Sequence, residues 1–411
     1  MRHTSSPGGI TLVTLTLCSL LSSIPLASAT PVTAPVAGTR PSSALMAESI
    51  VARGEGLGLK AGKAAINYEH GTFQRALWNL YTDTKNATYL SWIKQGVDKV
   101  VTPNGGIIAD YKPAIYELDD LRVGESIIRL WSVNKEAKYK SAAGVLAAQF
   151  KTQPRNPEGA FWHKQVYPNQ QWLDGLYMGL VFYGLHAATF EPTTADKVFT
   201  DIGTQFKLMW EHCHDTKTGL LRHGWDSSKK MKWADPTTGA SPEVWSRGLG
   251  WVIMALTDFL TPPLIIPTSH ATYNILLTQL KSLLPALVAN ADPKTGAWWL
   301  VMSKPGQPKN YIETSGTAMF IYGMLKSVRL GLVPDKDGKI VATAKKAYEY
   351  LVREKLTNAA GKLSLDGTVS VGSLKGDGNY AYYVGVATAV NDLKGTAPFV
   401  MASLEYEKLK K

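Results

Sequence analysis

Residues 159–185, GAFWHKQVYPNQQWLDGLYMGLVFYGL, decide how the chain is to be read. Up to Trp172 the stretch is crowded with rings, Phe161, Trp162, Tyr167 and Trp172, with His163 and Lys164 among them. Such a density is typical of a sugar-binding surface. From Leu173 it becomes LDGLYMGLVFYGL, apolar enough for a core helix. Asp174 stands where the two halves meet. As an N-cap or first-turn acid it would simply serve the helix. As an acid among rings it would be desolvated, its pKa would rise, and it would suit general acid catalysis near neutral pH. Taken alone, the stretch leaves both readings open.

Outward from this point the pattern is helical. From about Ile66 to the C-terminus, apolar residues recur at three- and four-residue spacing between Gly, Pro and Asn clusters. The spacing predicts helices near 72–83, 88–101, 115–132, 136–151, 171–188, 194–214, 242–260, 268–289, 312–330, 337–356, 382–391 and 397–410. Twelve antiparallel helices make six hairpins, and the loops after every second helix are the longer ones, richer in aromatic, Gly and charged residues. This alternation predicts an all-α (α/α)6 barrel, a six-hairpin toroid with the long loops gathered at one face. The run YAYYVGVATAV (380–390) also reads as strand-like. Trp78, Trp92, Trp131 and Trp210 lie in amphipathic helices and read as core. Trp162, Trp172, Trp225, Trp233, Trp245, Trp251, Trp298 and Trp299 lie in or beside loops, where a ligand would be met.

Composition narrows the class. The 411 residues are 45% hydrophobic and 19% charged, ordinary for a globular protein with a large core. Arg2 and His3 precede an apolar run from Ile10 to Leu26, and Ala27-Ser28-Ala29 has the form of a signal-peptidase site. Residues 1–29 are therefore expected to be a signal peptide, 30–65 a flexible mature N-terminus, and 66–411 one catalytic domain, secreted, extracellular and monomeric. Cys18 leaves with the signal, so Cys213 is expected to be a lone buried thiol. Asn86-Ala87-Thr88 is a glycosylation sequon. The net charge of +11 favours acidic ligands weakly, but the basic residues are dispersed and no nucleic-acid motif appears. His212-Cys213-His214-Asp215 lacks zinc-ligand spacing, so no metal is expected. Phosphate loops, dinucleotide fingerprints and nucleophile elbows are missing too.

Five segments carry candidate chemistry. Glu117-Leu118-Asp119-Asp120 precedes the helix GESIIRLW, where acids act as electrostatic caps or as catalysts. The second segment is the one around Asp174. His223-Gly224-Trp225-Asp226 and Trp233-Ala234-Asp235 lie in a loop without helical periodicity. In Trp245-Ser246-Arg247-Gly248-Leu249-Gly250-Trp251 the glycines permit close backbone approach, and Arg247 sits between indoles, fit to grip an anionic sugar or to be a buried structural cation. Glu313-Thr314-Ser315-Gly316-Thr317 reads as a capped, tightly packed helix start.

In this order, LDDLRVG, GAFWHKQVYPNQQWLDGLYM, TGLLRHGWD, SRGLGW and ETSGTAMF resemble the unsaturated rhamnogalacturonyl hydrolases of glycoside hydrolase family 105, kin of the family 88 unsaturated glucuronyl hydrolases. The resemblance runs from about residue 66 to the C-terminus and implies an (α/α)6 barrel. It implies that Asp174 is the catalytic acid/base and Asp119 a second active-site carboxylate, tuning Asp174 by like-charge repulsion. It further implies that His163, His223, Arg247 and Trp251 line the sugar site, with Trp172 supplying stacking surface; Met178, closing the WLDGLYM motif, is grouped with these substrate-binding residues. Ser246 and Leu249 depart from the Gly and Asn expected there. The implied reaction hydrates the C4–C5 double bond left on an uronic acid by a polysaccharide lyase, without metal or organic cofactor. The substrate expected is an unsaturated uronyl oligosaccharide from pectin. Unsaturated glucuronides, or a noncatalytic carbohydrate-binding toroid, are the alternatives.

Overall fold

Burial separates the helices into two kinds. Every residue of the helix Ser246–Phe259 is buried, and so is all of Leu393–Tyr406 in the last helix. By contrast, Lys339–Glu354 buries only Ile340, Ala344, Ala347, Tyr348, Leu351 and Val352, a single stripe. The first kind needs neighbours on all sides and the second needs one.

The computed structural model describes residues 42–409, so the expected signal peptide lies outside the described residues. In chain order the helices are α1 (Ser42–Ala52), α2 (Tyr68–Thr84), α3 (Ala87–Val100), α4 (Gly124–Asn134), α5 (Ala137–Ala147), α6 (Leu173–Met178), α7 (Leu180–Phe190), α8 (Ala195–Cys213), α9 (Ser246–Phe259), α10 (Ala271–Ala289), α11 (Thr314–Arg329), α12 (Lys339–Glu354), α13 (Tyr380–Gly385) and α14 (Leu393–Lys408). A 3-10 turn, Asp119–Val123, leads directly into α4.

Around the ring α2 packs on the Asp119 turn and α4, these on the α6–α7 pair, α6 on α9, α9 on α11, α11 on α14, and α14 back on α2. Outside it lie α1, α3, α5, α8, α10 and α12, each packed against an inner helix adjacent in sequence or across the ring closure. Inner and outer helices alternate strictly along the chain, which is the expected (α/α)6 barrel. The inner helices therefore run in one direction and present their N-termini at one face.

Three expectations need correction. Of the stretch expected to be flexible, 30–65, the part from Ser42 is folded: α1 is an outer helix with Met46, Ala47 and Ile50 fully buried, and Leu59–Lys60 pairs with Lys63–Ala64 as a hairpin. The helix expected at 382–391 is only the short α13 followed by Thr388–Ala389, which pairs with Thr368–Val369 above the barrel. The count of twelve thus holds with one helix exchanged for another. The depth of the indoles also differs, although Trp78, Trp92, Trp131 and Trp210 do pack against the core as expected. Trp78, Trp92, Trp131 and Trp210 are only half-buried, whereas Trp225, Trp245, Trp251 and Trp298, beside loops, are among the most deeply buried side chains. In a toroid the loops of one face fold inward over the ring, so a loop tryptophan there is enclosed from above and below. Cys213 is buried, as expected.

Candidate active site

The N-terminal face holds a cavity of about 250 Å³ lined by Asp119, His163, Trp172, Asp174, Met178, Arg247 and Trp251, seven of the eight residues expected at the site. Local pairing explains how distant segments meet there. Gln170–Trp172 forms an antiparallel pair with Gly224–Asp226, placing Trp172 opposite Gly224, and Leu173 N donates to His223 O at 3.0 Å. His163 N donates to Gln170 O at 2.8 Å, and Leu118 N to His163 O at 3.2 Å, which ties the Asp119 turn to the same ribbon. Gly175 permits the last approach: a Cβ there would stand 2.9 Å from Leu118 Cδ1.

His223 is the expected residue that the cavity does not touch. It is wholly buried behind Asp174, its Nε2 3.0 Å from Asp174 Oδ2 and its Nδ1 2.6 Å from the Tyr383 hydroxyl. The expectation that it bonds the sugar gives way to a positional one, because both ring nitrogens are occupied. Three groups stand in line: carboxylate, imidazole, phenol.

Charge states are also rearranged. Burial does push Asp174 upward, as expected, but the charge and hydrogen bond of His223, with His163 adding, outweigh it and leave the pKa below its ordinary value. His163 itself is driven down to about 4 by burial, which leaves His223 as the main side-chain support of the Asp174 anion. Asp119 is the group held well above the usual carboxylate range, by burial and then by Glu117 and Asp174. The expected repulsion therefore acts on Asp119, whose pKa it raises, rather than on Asp174. Its Oδ1 has no hydrogen-bond partner among the described residues and lies 3.7 Å from His163 Nε2. Glu117, also lining the cavity, is engaged by Lys164 Nζ at 2.5 Å.

The walls are aromatic. Trp172 is stacked between His163 (ring centroids 4.6 Å apart) and Tyr167 (4.5 Å), and its indole N–H donates to Gln170 Oε1 at 3.0 Å. Trp251 stacks on Tyr177 at 5.3 Å, and the Arg122 guanidinium lies 3.8 Å from the centroid of the Tyr177 ring. Below them Glu125 binds Arg75, Arg122 and Arg129; burial raises its pKa, but the three guanidiniums overcome this and hold it far below its ordinary value. The floor is thus fixed by packing and by charge.

Arg247 reaches the cavity with most of its donors spent. Nε donates to Ser315 Oγ at 2.8 Å, Nη1 to Ser370 O at 2.6 Å and Nη2 to Val369 O, while Glu313 Oε1 lies 3.6 Å away. It anchors the segment 369–373, whose Val371, Gly372 and Ser373 close one side of the cavity. Of the two alternatives for this arginine, the buried structural cation accounts for these bonds. Glu313 caps α11 by accepting from Ser315 N and Gly316 N, as expected. The glycines of the Arg247 segment do allow close approach: a Cβ on Gly248 would meet His223 Cδ2 at 3.1 Å.

Sequence reasoning missed Lys60, Asn67, Tyr68 and Glu69 in the lining, and Tyr383 behind it. Asn67-Tyr68-Glu69 carries a usable signal, an Asn N-cap with an acid in the first turn, and Asn67 Oδ1 accepts from Glu69 N at 2.7 Å. Nothing in YAYYVGVATAV marks Tyr383 from the other tyrosines. The orientation of the barrel adds a uniform effect, since the N-termini of α2, α6 and α9 abut the cavity and favour an anionic ligand there.

Comparison with known proteins follows this geometry. Residues 43–410 match Glycosyl Hydrolase Family 88. The fold is shared with a family 105 glycoside hydrolase from C. acetobutylicum ATCC 824, at a TM-score of 0.83 and 36% identity over 90% of this chain and 100% of that one. A curated relative, protein Atu3128 of Agrobacterium fabrum, is 37% identical over 195 residues, 46% of this chain and 82% of the relative. An unsaturated glucuronyl hydrolase from Bacillus sp. GL1 shares the fold at a TM-score of 0.59 and 14% identity, over 89% of this chain and 95% of that one.

Proposed function

The chain belongs to glycosyl hydrolase family 88 and is a glycoside hydrolase, and on that footing we propose that it removes the 4,5-unsaturated galacturonyl residue from the non-reducing end of rhamnogalacturonan oligosaccharides. Family membership sets aside the noncatalytic toroid. The observation that carries the reading is the placement of the carboxylates: Glu117 is tied to Lys164 and Glu69 to Lys394, Asp119 has an oxygen without a hydrogen-bond partner among the described residues, and Asp174 faces the cavity braced from behind by His223.

In the proposed reaction the protonated form of Asp174 gives its proton to C4, and positive charge develops at C5 beside the ring oxygen. Water then adds its oxygen to C5 and returns a proton to Asp174. The new C5 hydroxyl becomes a ketone as the bond from C5 to the ring oxygen breaks, and the C1 hemiacetal so exposed releases the aglycone alcohol. One aspartate serves as acid and then as base, and the His223 contact suits the base half. Asp119, with its free carboxyl oxygen, and His163, as a neutral imidazole, supply hydrogen bonds to sugar or water. Trp172 and Trp251 give stacking surface and exclude water, and Met178 adds an apolar side chain to the lining.

The test follows the near-ultraviolet absorbance of the conjugated double bond in an unsaturated rhamnogalacturonan disaccharide, with an unsaturated glucuronide and a saturated disaccharide beside it. Loss of absorbance on the first supports the reading. Turnover of the glucuronide alone would transfer it to that substrate class. Cleavage of the saturated sugar would instead indicate a conventional pair, with Asp119 as acid and Asp174 as base. Asp174→Asn is expected to retain sugar binding and lose at least about a hundredfold in kcat, the scale of general acid–base catalysis.

A further inference from the structure

Beside the catalytic cavity lies a larger one, of about 480 Å³, walled by Arg53, Glu55, His70 and Asp392 among others. The two share Lys60, Asn67 and Glu69 in their linings, so they meet across that edge. The shared residues come from the 59–64 hairpin and the start of α2, and each offers a different polar function. Asn67 spends its Oδ1 on the α2 N-cap, which leaves its amide hydrogens without a partner among the described residues. Glu69 has one oxygen, Oε1, bound by Lys394 Nζ at 2.7 Å. Lys60 is exposed.

Each acid of the second cavity has a cation in contact, one lysine being shared between two of them. Glu55 lies 3.2 Å from Arg53 Nε, and Lys394 Nζ binds both Glu69 (2.7 Å) and Asp392 (2.8 Å). Lys60 has no carboxylate in ion-pair contact among the described residues. It is therefore the cation at the junction whose ammonium is left free to contact a ligand. The named polar side chains at this junction are a cation, an amide and a carboxylate, which suits a hydroxylated, negatively charged chain better than an apolar ligand.

Building on the function proposed above, we infer that the second cavity is a binding site for the aglycone of longer substrates, and that Lys60 pairs there with the carboxylate of an acidic sugar beyond the leaving residue. In a polymer that alternates uronic acid and neutral sugar, that carboxylate belongs to the second aglycone unit. A disaccharide ends before reaching it and a tetrasaccharide does not. The hairpin is thereby a determinant of substrate length and charge.

The experiment compares kcat/KM for the unsaturated disaccharide and the unsaturated tetrasaccharide of the same acidic polymer, using the full chain and its Lys60→Ala and Lys60→Glu variants. An exposed ion pair contributes up to about 1 kcal/mol, roughly a fivefold effect. The tetrasaccharide-to-disaccharide ratio is expected to fall about fivefold in Lys60→Ala and further in Lys60→Glu, and to fall likewise in the native protein as salt is raised. A ratio equal to the native one in both variants overturns the inference. Should the native protein act on neither substrate, the proposed reaction fails separately, and calorimetry with the saturated tetrasaccharide decides the site. Affinity that drops in Lys60→Glu supports it, and affinity that is absent or insensitive to Lys60 sinks it.

Discussion

At the level of single residues, Asp174 is governed by what lies behind it. A depressed pKa means that the protonated, proton-donating form is a minority at neutral pH and grows as pH falls toward that pKa. For a step that needs this form, kcat/KM is expected to rise as pH drops from 7 into the acidic range, by at most about tenfold per unit. A kcat/KM that climbs from pH 5 to 7 would move the donating role to another group, Asp119 first. Tyr383 carries a second prediction. An ionised Asp174 can only accept, so His223 Nε2 must donate to it, and the Tyr383 hydroxyl satisfies Nδ1 on the other side. Burial raises the Tyr383 pKa, keeping it a hydroxyl. Tyr383→Phe orphans a buried ring nitrogen and is expected to cost about 1–3 kcal/mol in a urea titration, together with a fall in kcat at nearly constant KM. Retained kcat would show that His223 is held without it. The carboxylates and the stacking indole were legible in sequence because each sits in a motif. The His223 and Tyr383 contact was not, since a hydrogen bond between residues 160 positions apart leaves no local pattern.

At the level of elements, identical substitutions should change sign with the ring they fall in. Gly144 lies exposed on outer helix α5, and an added Cβ would meet nothing within 4 Å. Gly144→Ala is expected to stabilise the fold by about 0.5–1 kcal/mol through helix propensity alone. Gly323 lies on inner helix α11 facing α9, where a Cβ would fall 2.2 Å from Ile253 Cγ2. Gly323→Ala forces the two helices apart and is expected to destabilise by about 1–3 kcal/mol. Thermal melts of the two variants check both signs, and equal shifts would contradict the assignment of rings. The distinction was only partly visible in sequence. Stripe-like helices such as α12 announce their single buried face, and all-apolar ones such as α9 announce enclosure, but neither reveals which neighbour encloses it. The helix α1 escaped notice because SSALMAESIVA follows a Pro- and Ala-rich run and has small residues where a stripe would show. Its buried face includes Ser42, Ser43 and Ser49, which hydropathy does not score as core.

At the level of the whole molecule, the toroid closes where the first and last described helices meet, and that closure is a testable dependency. Inner helix α14 packs on α2 and α11, and α1 lies against its outer side. Ser43 N and Oγ donate to Glu407 Oε1 and Oε2 at 2.9 and 2.6 Å, across 364 positions of sequence. Ser49 Oγ accepts from Leu363 N at 2.8 Å, so α1 also holds the 356–365 hairpin. With α1 present, Met46 and Ile50 are fully buried; without it, their partners on α14 face water. Burying side chains of this size contributes about 1.5–3 kcal/mol each. A chain beginning at Arg53 is therefore expected to lose about 3–6 kcal/mol of unfolding free energy in a urea titration. The loss should not stop at the rim, because the 59–64 hairpin that carries Lys60 follows α1 directly in the chain. The truncated chain should accordingly show a lower tetrasaccharide-to-disaccharide ratio at temperatures where it is still folded. An unchanged unfolding midpoint would mean that α1 is an appendage and that the ring is complete without it.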